Sequence, residues 1–104
     1  MTIISSQRFL NYDIVEEKAT ELEGATVVLL PVYEVEMEDG EGNALYILAD
    51  GHHRREAAND LGIAVEYEIV RHQDDLTGEQ LLENSWIDSD WYYVESGRPV
   101  SWAW

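Results

Sequence analysis

Residues 45–69 constrain the fold most, because four different local patterns follow one another there without a gap. Residues 45–49 form an apolar run that is typical of a buried strand. Gly51 allows a sharp turn after that strand. An apolar stripe at helical spacing follows over residues 57–61, and Gly62 is placed as a C-terminal cap. An alternating run then begins, so the pattern predicts a strand, a turn, a short helix and a second strand.

The predicted helix of residues 51–61 begins with a concentration of polar and basic side chains. Asp50 is expected to be its N-cap, because the carboxylate can accept from the free amides of His52 or His53. Arg54 follows in the same turn. Since free amides and the positive end of the helix dipole converge there, the pattern predicts an anion site. Protonation of the two imidazoles near pH 6.5 is expected to strengthen anion binding.

Residues 49–58 read Ala-Asp-Gly-His-His-Arg-Arg-Glu-Ala-Ala. With a strand on each side, this segment resembles the signature of the ParB/sulfiredoxin-like superfamily, and the resemblance covers residues 26–71. The Asp-Gly-His-His-Arg core looks like that of the free serine kinases. In that superfamily the turn and the helix start bind nucleotide phosphates. The resemblance therefore implies ATP or CTP as a cofactor, with Mg²⁺, and a nucleotide-dependent phosphotransferase or nucleotide hydrolase as the activity.

Asp50 and His53 are the candidate catalytic residues, because either side chain can transfer a proton near neutral pH. The resemblance implies that Asp50 is either the helix cap or a carboxylate on the magnesium side, and that the turn binds the phosphates. The candidate nucleotide-binding residues are Gly51, His52, His53, Arg54 and Arg55. Two members of the superfamily are excluded: His52 stands where sulfiredoxins carry their catalytic cysteine, and too little chain follows Arg71 for the DNA-binding domain of partition proteins. The chain also has no room for the substrate domain of the serine kinases.

Three other interpretations of the same cluster stay open. A metal site would use Asp50, His52, His53 and His72, but adjacent histidines point to different sides of a helix, so one ion rarely binds both and no residue is assigned as a metal ligand. A general acid–base site would use His53 or Asp50. The simplest alternative is a helix cap followed by surface histidines.

The other predicted elements flank this unit. They are a short edge strand at residues 3–4, a helix that starts with an Asp13–Glu16 capping box, a strand over 26–38 in which Pro31 marks an edge or a bulge, a hairpin loop over 39–43, a strand over 63–70, a loop over 72–75, a helix over 77–84 with a Thr77–Gln80 capping box, and a hairpin in the aromatic tail. This order predicts one α+β domain, residues 1–104, with a mixed sheet.

The net charge of −16, from 22 acidic and six basic residues, limits the partners. Such a field repels the nucleic-acid backbone, so no duplex DNA binding is expected. Arg54 and Arg55 are clustered, whereas Arg8, Lys18, Arg71 and Arg98 are scattered. The absence of cysteine excludes disulfides, thiolate zinc sites and thiol catalysis. No apolar run has membrane-spanning length and no leader precedes the chain, so a soluble cytoplasmic protein without membrane contact is expected.

Two further patterns each have two interpretations. Five glutamates of the predicted strands are expected to share one face of the sheet; they are Glu34, Glu36, Glu38, Glu66 and Glu68. This face is either simply solvated or a mimic of the DNA backbone. The aromatic residues of 77–104 belong to the core or form a contact to a protein partner or a second copy, with Trp102 and Trp104 at strand spacing. The sequence thus favours a nucleotide- or phosphate-binding domain. The alternatives are a catalytically inactive acidic interaction module, including a DNA mimic, and a ParB-like nuclease.

Overall fold

A five-stranded mixed sheet lies at the centre of the computed structural model, which describes residues 1–71 and 75–102. The strands stand in the order β4-β2-β3-β1-β5. Their bounds are β1 Thr2–Ser5, β2 Val27–Glu38, β3 Ala44–Leu48, β4 Ala64–Ile69 and β5 Tyr92–Tyr93, and the helices are α1 Tyr12–Glu21, α2 His52–Leu61 and α3 Gly78–Ser85. Strands β2 and β4 are parallel, as are β1 and β3, whereas β2 and β3 are antiparallel. The predicted α+β fold with a mixed sheet is confirmed.

The long strand β2 contributes to two hydrophobic clusters, one on each face of the sheet. Its first half places Leu30 and Val32 in a cluster with Val15 of α1 and Ala57 of α2. Its second half places Val35 in a cluster on the other face, under Leu81 and Leu82 of α3. Successive side chains of a strand point to opposite faces, so one strand can serve both helical layers.

The caps of α1 and α3 are set by short polar side chains. Asn11 caps α1 by accepting from the amide of Asp13, so the predicted capping box at Asp13 is wrong. The side chain that begins the helix lies two residues earlier, where the backbone is still extended. At α3 the predicted capping box of Thr77 and Gln80 is confirmed in both of its hydrogen bonds.

Strand β1 and Pro31 both lie inside the sheet rather than at an edge. Strand β1 runs between β3 and β5, because the tail returns to pair with it, so the predicted edge position is wrong. Pro31 lies in β2 between β3 and β4. Its carbonyl accepts from the amide of Ala49, just beyond the end of β3. The backbone N–H that proline lacks would therefore face the end of β3, where the ladder stops. The register shift of β2 lies later in the strand, between Glu34 and Glu38.

The C-terminal aromatic segment forms less regular structure than the predicted hairpin. Strand β5 pairs with β1, and an isolated bridge joins Tyr92 to Pro99. The amide of Gly97 donates to the carbonyl of Tyr93 over 2.7 Å, which closes the turn. Trp102 packs against the second cluster, as a core residue would. Residues 72–74 of the predicted loop and Trp104 lie outside the described residues.

The five strand glutamates are exposed, as expected of solvated residues, but they do not share one face. Leu29 pairs with Glu66 in the parallel β2–β4 register, and paired residues point to the same side. Glu34 lies five residues after Leu29 on β2, and therefore points to the opposite side. The single acidic face predicted from alternation is wrong, because the register of the parallel pair decides which residues are neighbours.

Candidate functional site

The turn before α2 depends on Gly51 for two reasons. Its φ of 91° lies in the left-handed region, which side chains other than glycine rarely adopt. A Cβ at this position would also lie 2.8 Å from Cδ2 of Leu30. The helix starts at His52 directly after this turn and ends at Leu61, where Gly62 is the left-handed C-cap as predicted. The chain is thus turned tightly against β2 before the helix starts.

Asp50 does not cap α2, so that prediction is wrong. Its Oδ1 accepts from the amide of the next residue, Gly51, over 2.7 Å. Gly51 itself occupies the N-cap position and offers no side chain. Because the left-handed turn delays the helix start by one residue, Asp50 stands one position too early to reach the amides of the first turn. Its carboxylate is exposed instead.

His52 is held against β1 by a hydrogen bond between its Nε2 and the hydroxyl of Ser5, 2.6 Å away. The Ser5 hydroxyl also accepts from the amide of Gln7 over 3.0 Å. Partial burial lowers the pKa of His52 to about 4, and the nearby carboxylate of Asp50 offsets this only in part. His52 is therefore neutral at neutral pH. The predicted strengthening of anion binding near pH 6.5 does not apply to this residue.

His53 points away from His52, toward the start of α1. Its Nε2 accepts from the amide of Asn11 over 3.1 Å. A backbone amide can only donate, so this nitrogen carries a lone pair and no proton. The two imidazoles thus tie α2 to two different elements. As expected for adjacent helical residues, they do not converge on one point.

A cleft of about 290 Å³ opens at the N-terminus of α2. It is lined by Gln7, Lys18, Asp50, Gly51, His52, His53 and Arg54. All the residues predicted for the site therefore line one cleft, with Arg55 as the exception. Arg55 donates from Nε to the hydroxyl of Tyr67 on β4 over 3.2 Å, so its side chain serves the packing of α2 on the sheet.

Lys18 and Gln7 are lining residues that sequence reasoning missed. Lys18 lies in the last turn of α1, and its Nζ is 3.5 Å from Glu21 of the same helix. Nothing in the local sequence links Lys18 to Arg54, because the two residues line one cleft only through the packing of α1 against α2. The cleft therefore collects two of the six basic residues of a very acidic chain.

The cleft places two basic side chains, Lys18 and Arg54, beside a helix start without a side-chain cap. Within residues 1–71 and 75–102, no three histidine or acidic side chains are grouped in a way that could hold a metal ion. His72, the fourth ligand of the metal interpretation, is outside those residues. Of the two candidate catalytic residues, Asp50 has an exposed carboxylate, whereas the Nε2 lone pair of His53 is already engaged by Asn11.

Comparisons of the chain with protein-family models, with curated proteins and with solved structures gave no match. Among the described helices, none combines the length and apolar character needed to cross a membrane.

Proposed function

We propose that the cleft at the N-terminus of α2 binds a phosphate group, and that the natural ligand is a nucleotide such as ATP or CTP. The amides of the first turn would donate to the phosphate oxygens, and Arg54 and Lys18 would pair with its charge. This is the role that the resemblance to the ParB/sulfiredoxin-like superfamily implies for the same turn.

The observation that carries the proposal is the uncapped start of α2. In α1 and α3 a side chain of the preceding residue accepts from an amide of the first turn. In α2 no side chain of the described residues does so, because the N-cap is Gly51. The amides of His52, His53 and Arg54 precede the first intrahelical donor, Arg55, and they border a cleft. Unsatisfied donors at a helix start are groups that an anion binds well.

Local charge favours the anion although the whole chain repels it. Lys18 and Arg54 line the cleft, and carboxylates beyond about 8 Å are screened at physiological ionic strength. Within the described part of the chain, Asp50 is the one acidic residue of the lining. A Mg²⁺ ion shared between its carboxylate and the phosphate would convert this repulsion into attraction, since Mg²⁺ is usually held by one or two carboxylates and phosphate oxygens.

The size of the cleft suggests which part of a nucleotide is recognised. Its volume of about 290 Å³ is at the low end for small-molecule sites, which typically span about 300 to 1,000 Å³. It would accommodate the phosphates and leave the base outside. We therefore expect ATP and CTP to bind with similar affinity. If chemistry follows binding, Asp50 is the better placed general base, because its carboxylate is exposed beside the cleft.

The other functions considered from the sequence have less support in the geometry. A DNA mimic needs its carboxylates along one surface, and the strand glutamates are divided between two faces. A nuclease needs basic side chains that guide a nucleic acid, and Arg98 lies in the C-terminal turn rather than beside the cleft.

Calorimetric titration with ATP, CTP and inorganic phosphate, with and without Mg²⁺, tests the proposal. We expect Mg²⁺-dependent nucleotide binding that Arg54→Ala and Lys18→Ala each weaken by roughly tenfold, the loss of about 1.4 kcal/mol. Arg98→Ala removes the same charge from an exposed position outside the cleft and is the matched control. Equal weakening by all three variants would indicate general electrostatics and contradict a localised site, as would the absence of binding by the wild type.

A further inference from the structure

A second cleft, of about 460 Å³, lies beside α3 on the face of the sheet opposite to α1 and α2. Its lining consists of Glu79, Leu82, Glu83, Trp86, Trp91 and Trp102. Three of the four tryptophans of the chain therefore meet at one place. None of these residues lines the cleft at the N-terminus of α2, so the two clefts can be tested separately.

The spacing of residues along α3 builds one side of this cleft. Glu79, Leu82 and Glu83 stand at positions i, i+3 and i+4 on one side of α3, and Trp86, at i+7, is the residue that directly follows the helix. Leu82 is buried against the sheet, while Trp86 is 55% exposed. The cleft therefore has an apolar floor and an open aromatic rim.

The helix carrying these residues is packed closely on the sheet. A Cβ on Gly78, the first residue of α3, would lie 2.6 Å from the carbonyl oxygen of Val35 in β2. Such a close approach fixes the start of α3, and with it Glu79, against β2. The side of the cleft that α3 forms is therefore held in a fixed position on the sheet.

The electrostatics of the cleft favour a cation. Glu79 and Glu83 are both exposed and stand four residues apart on α3, a like-charge spacing that destabilises a helix by about 0.2 to 0.5 kcal/mol. Among the described residues that line the cleft, none is basic. The faces of indole rings are electron-rich and attract ammonium and guanidinium groups. The two carboxylates, the absence of a basic residue in this lining and the indole faces all favour binding of a cation.

We propose that this cleft is a docking site for a basic segment of a partner protein, with an arginine or lysine side chain inserted among the tryptophans and paired with Glu79 and Glu83. An uncharged ligand would leave both carboxylates without a counter-charge. A second copy of this chain is a poor occupant, since its own net charge is −16. A basic side chain can contact the indole faces and pair with the carboxylates at the same time. Long-range attraction to the acidic chain would also speed the association of a basic partner.

The probe for this proposal is a capped nonapeptide of glycine and serine with two central arginines, and its counterpart with citrulline in both positions. The indole N–H signals of the protein are followed by NMR during titration. We expect the arginine peptide to shift the signals of Trp86, Trp91 and Trp102, and the citrulline peptide to bind at least fivefold more weakly. Binding should weaken as salt is added, because exposed charges are screened.

Variants separate the cleft from the general acidity of the chain. We expect Trp86→Ala and the double variant Glu79→Gln, Glu83→Gln to lower affinity for the arginine peptide at least fivefold. Phe9→Ala and Glu17→Gln are the controls, because Phe9 is 70% exposed and Glu17 is an exposed residue of α1 on the other face. Equal loss in the controls, equal binding of the citrulline peptide or unshifted indole signals would overturn the proposal. Concentration-dependent indole shifts without peptide would overturn it in favour of a dimer.

Discussion

The hydroxyl of Ser5 lies 2.6 Å from Nε2 of His52, and this contact joins β1 to the first residue of α2. Ser5 is almost completely buried, with 1% of its surface exposed. A histidine in this position is neutral because partial burial lowers its pKa to about 4. The contact therefore couples the start of the candidate site to the pH dependence of folding.

We predict that protonation of the unfolded state at His52 makes the fold less stable in mild acid. The unfolded chain takes up this proton as the pH falls through 6.5, whereas the folded chain stays neutral until about pH 4. The contribution of His52 to stability is therefore complete above pH 6.5 and decreases between 6.5 and 4, by on the order of 1 to 2 kcal/mol between pH 7 and pH 5. Urea unfolding of wild type and His52→Gln at both pH values measures it. An unchanged difference between the two proteins would contradict the prediction.

A second acid-dependent contribution is expected at lower pH from Asp39. The buried carboxylate accepts from Tyr93 over 2.7 Å and from the amides of Glu41 and Asn43. The Tyr93 hydrogen bond is the largest cause that lowers the pKa of Asp39 to about 2. Its stabilisation is complete above about pH 3.8 and is lost as the pH falls toward 2. Tyr93→Phe should raise the pKa of Asp39 in an NMR titration, and Tyr12→Phe, at an exposed residue, should not.

Replacing Gly51 should destabilise the protein more than replacing another left-handed glycine. Gly24 has a φ of 81°, and a Cβ added there would meet nothing within 4 Å among the described residues, so Gly24→Ala costs only the backbone strain, about 1 kcal/mol. Gly51→Ala adds the contact with Leu30, for which overpacking costs typically about 1 to 3 kcal/mol. Chemical denaturation of the two variants measures the difference. Equal losses would show that Leu30 moves aside without cost.

Stability should rise with salt concentration because like charges dominate the surface. The chain has 22 acidic and six basic residues, and within the described residues one ion pair, Lys18 with Glu21, is formed. Raising KCl from about 0.1 M to about 1 M shortens the screening length from about 10 to 3 Å. We expect the melting temperature to rise, and the double variant Glu66→Gln, Glu68→Gln to show a smaller rise. A melting temperature that falls with KCl would contradict this account.

Local patterns predicted the elements well, because they depend on neighbouring residues. The helix at 52–61, its cap at Gly62 and the capping box at Thr77 all follow from spacing within one turn. The error at Asp50 arose because the left-handed conformation of Gly51 decides which residue precedes the helix. Sequence alone does not determine that conformation, since the packing of Gly51 against Leu30 contributes to it.

Long-range features could not be predicted in this way. Lys18 lines the cleft at the N-terminus of α2 only because α1 packs on α2. Glu66 lies outside the expected acidic face because of the β2–β4 register. The helix that carries Glu79 and Glu83 was predicted from its capping box, but the cleft beside it was not. The sequence did not show that the C-terminal aromatic segment returns to lie beside α3. That return depends on the pairing of β5 with β1.

The most direct test of the central claim is an NMR titration of the backbone amides with ATP and Mg²⁺. If the uncapped start of α2 binds phosphate, the amide signals of His52, His53 and Arg54 will shift most, and they will shift with inorganic phosphate as well, because the phosphate is the recognised group. If the signals of these three amides do not move up to millimolar nucleotide, the proposed site is contradicted. The same holds if the largest shifts belong to residues beside α3.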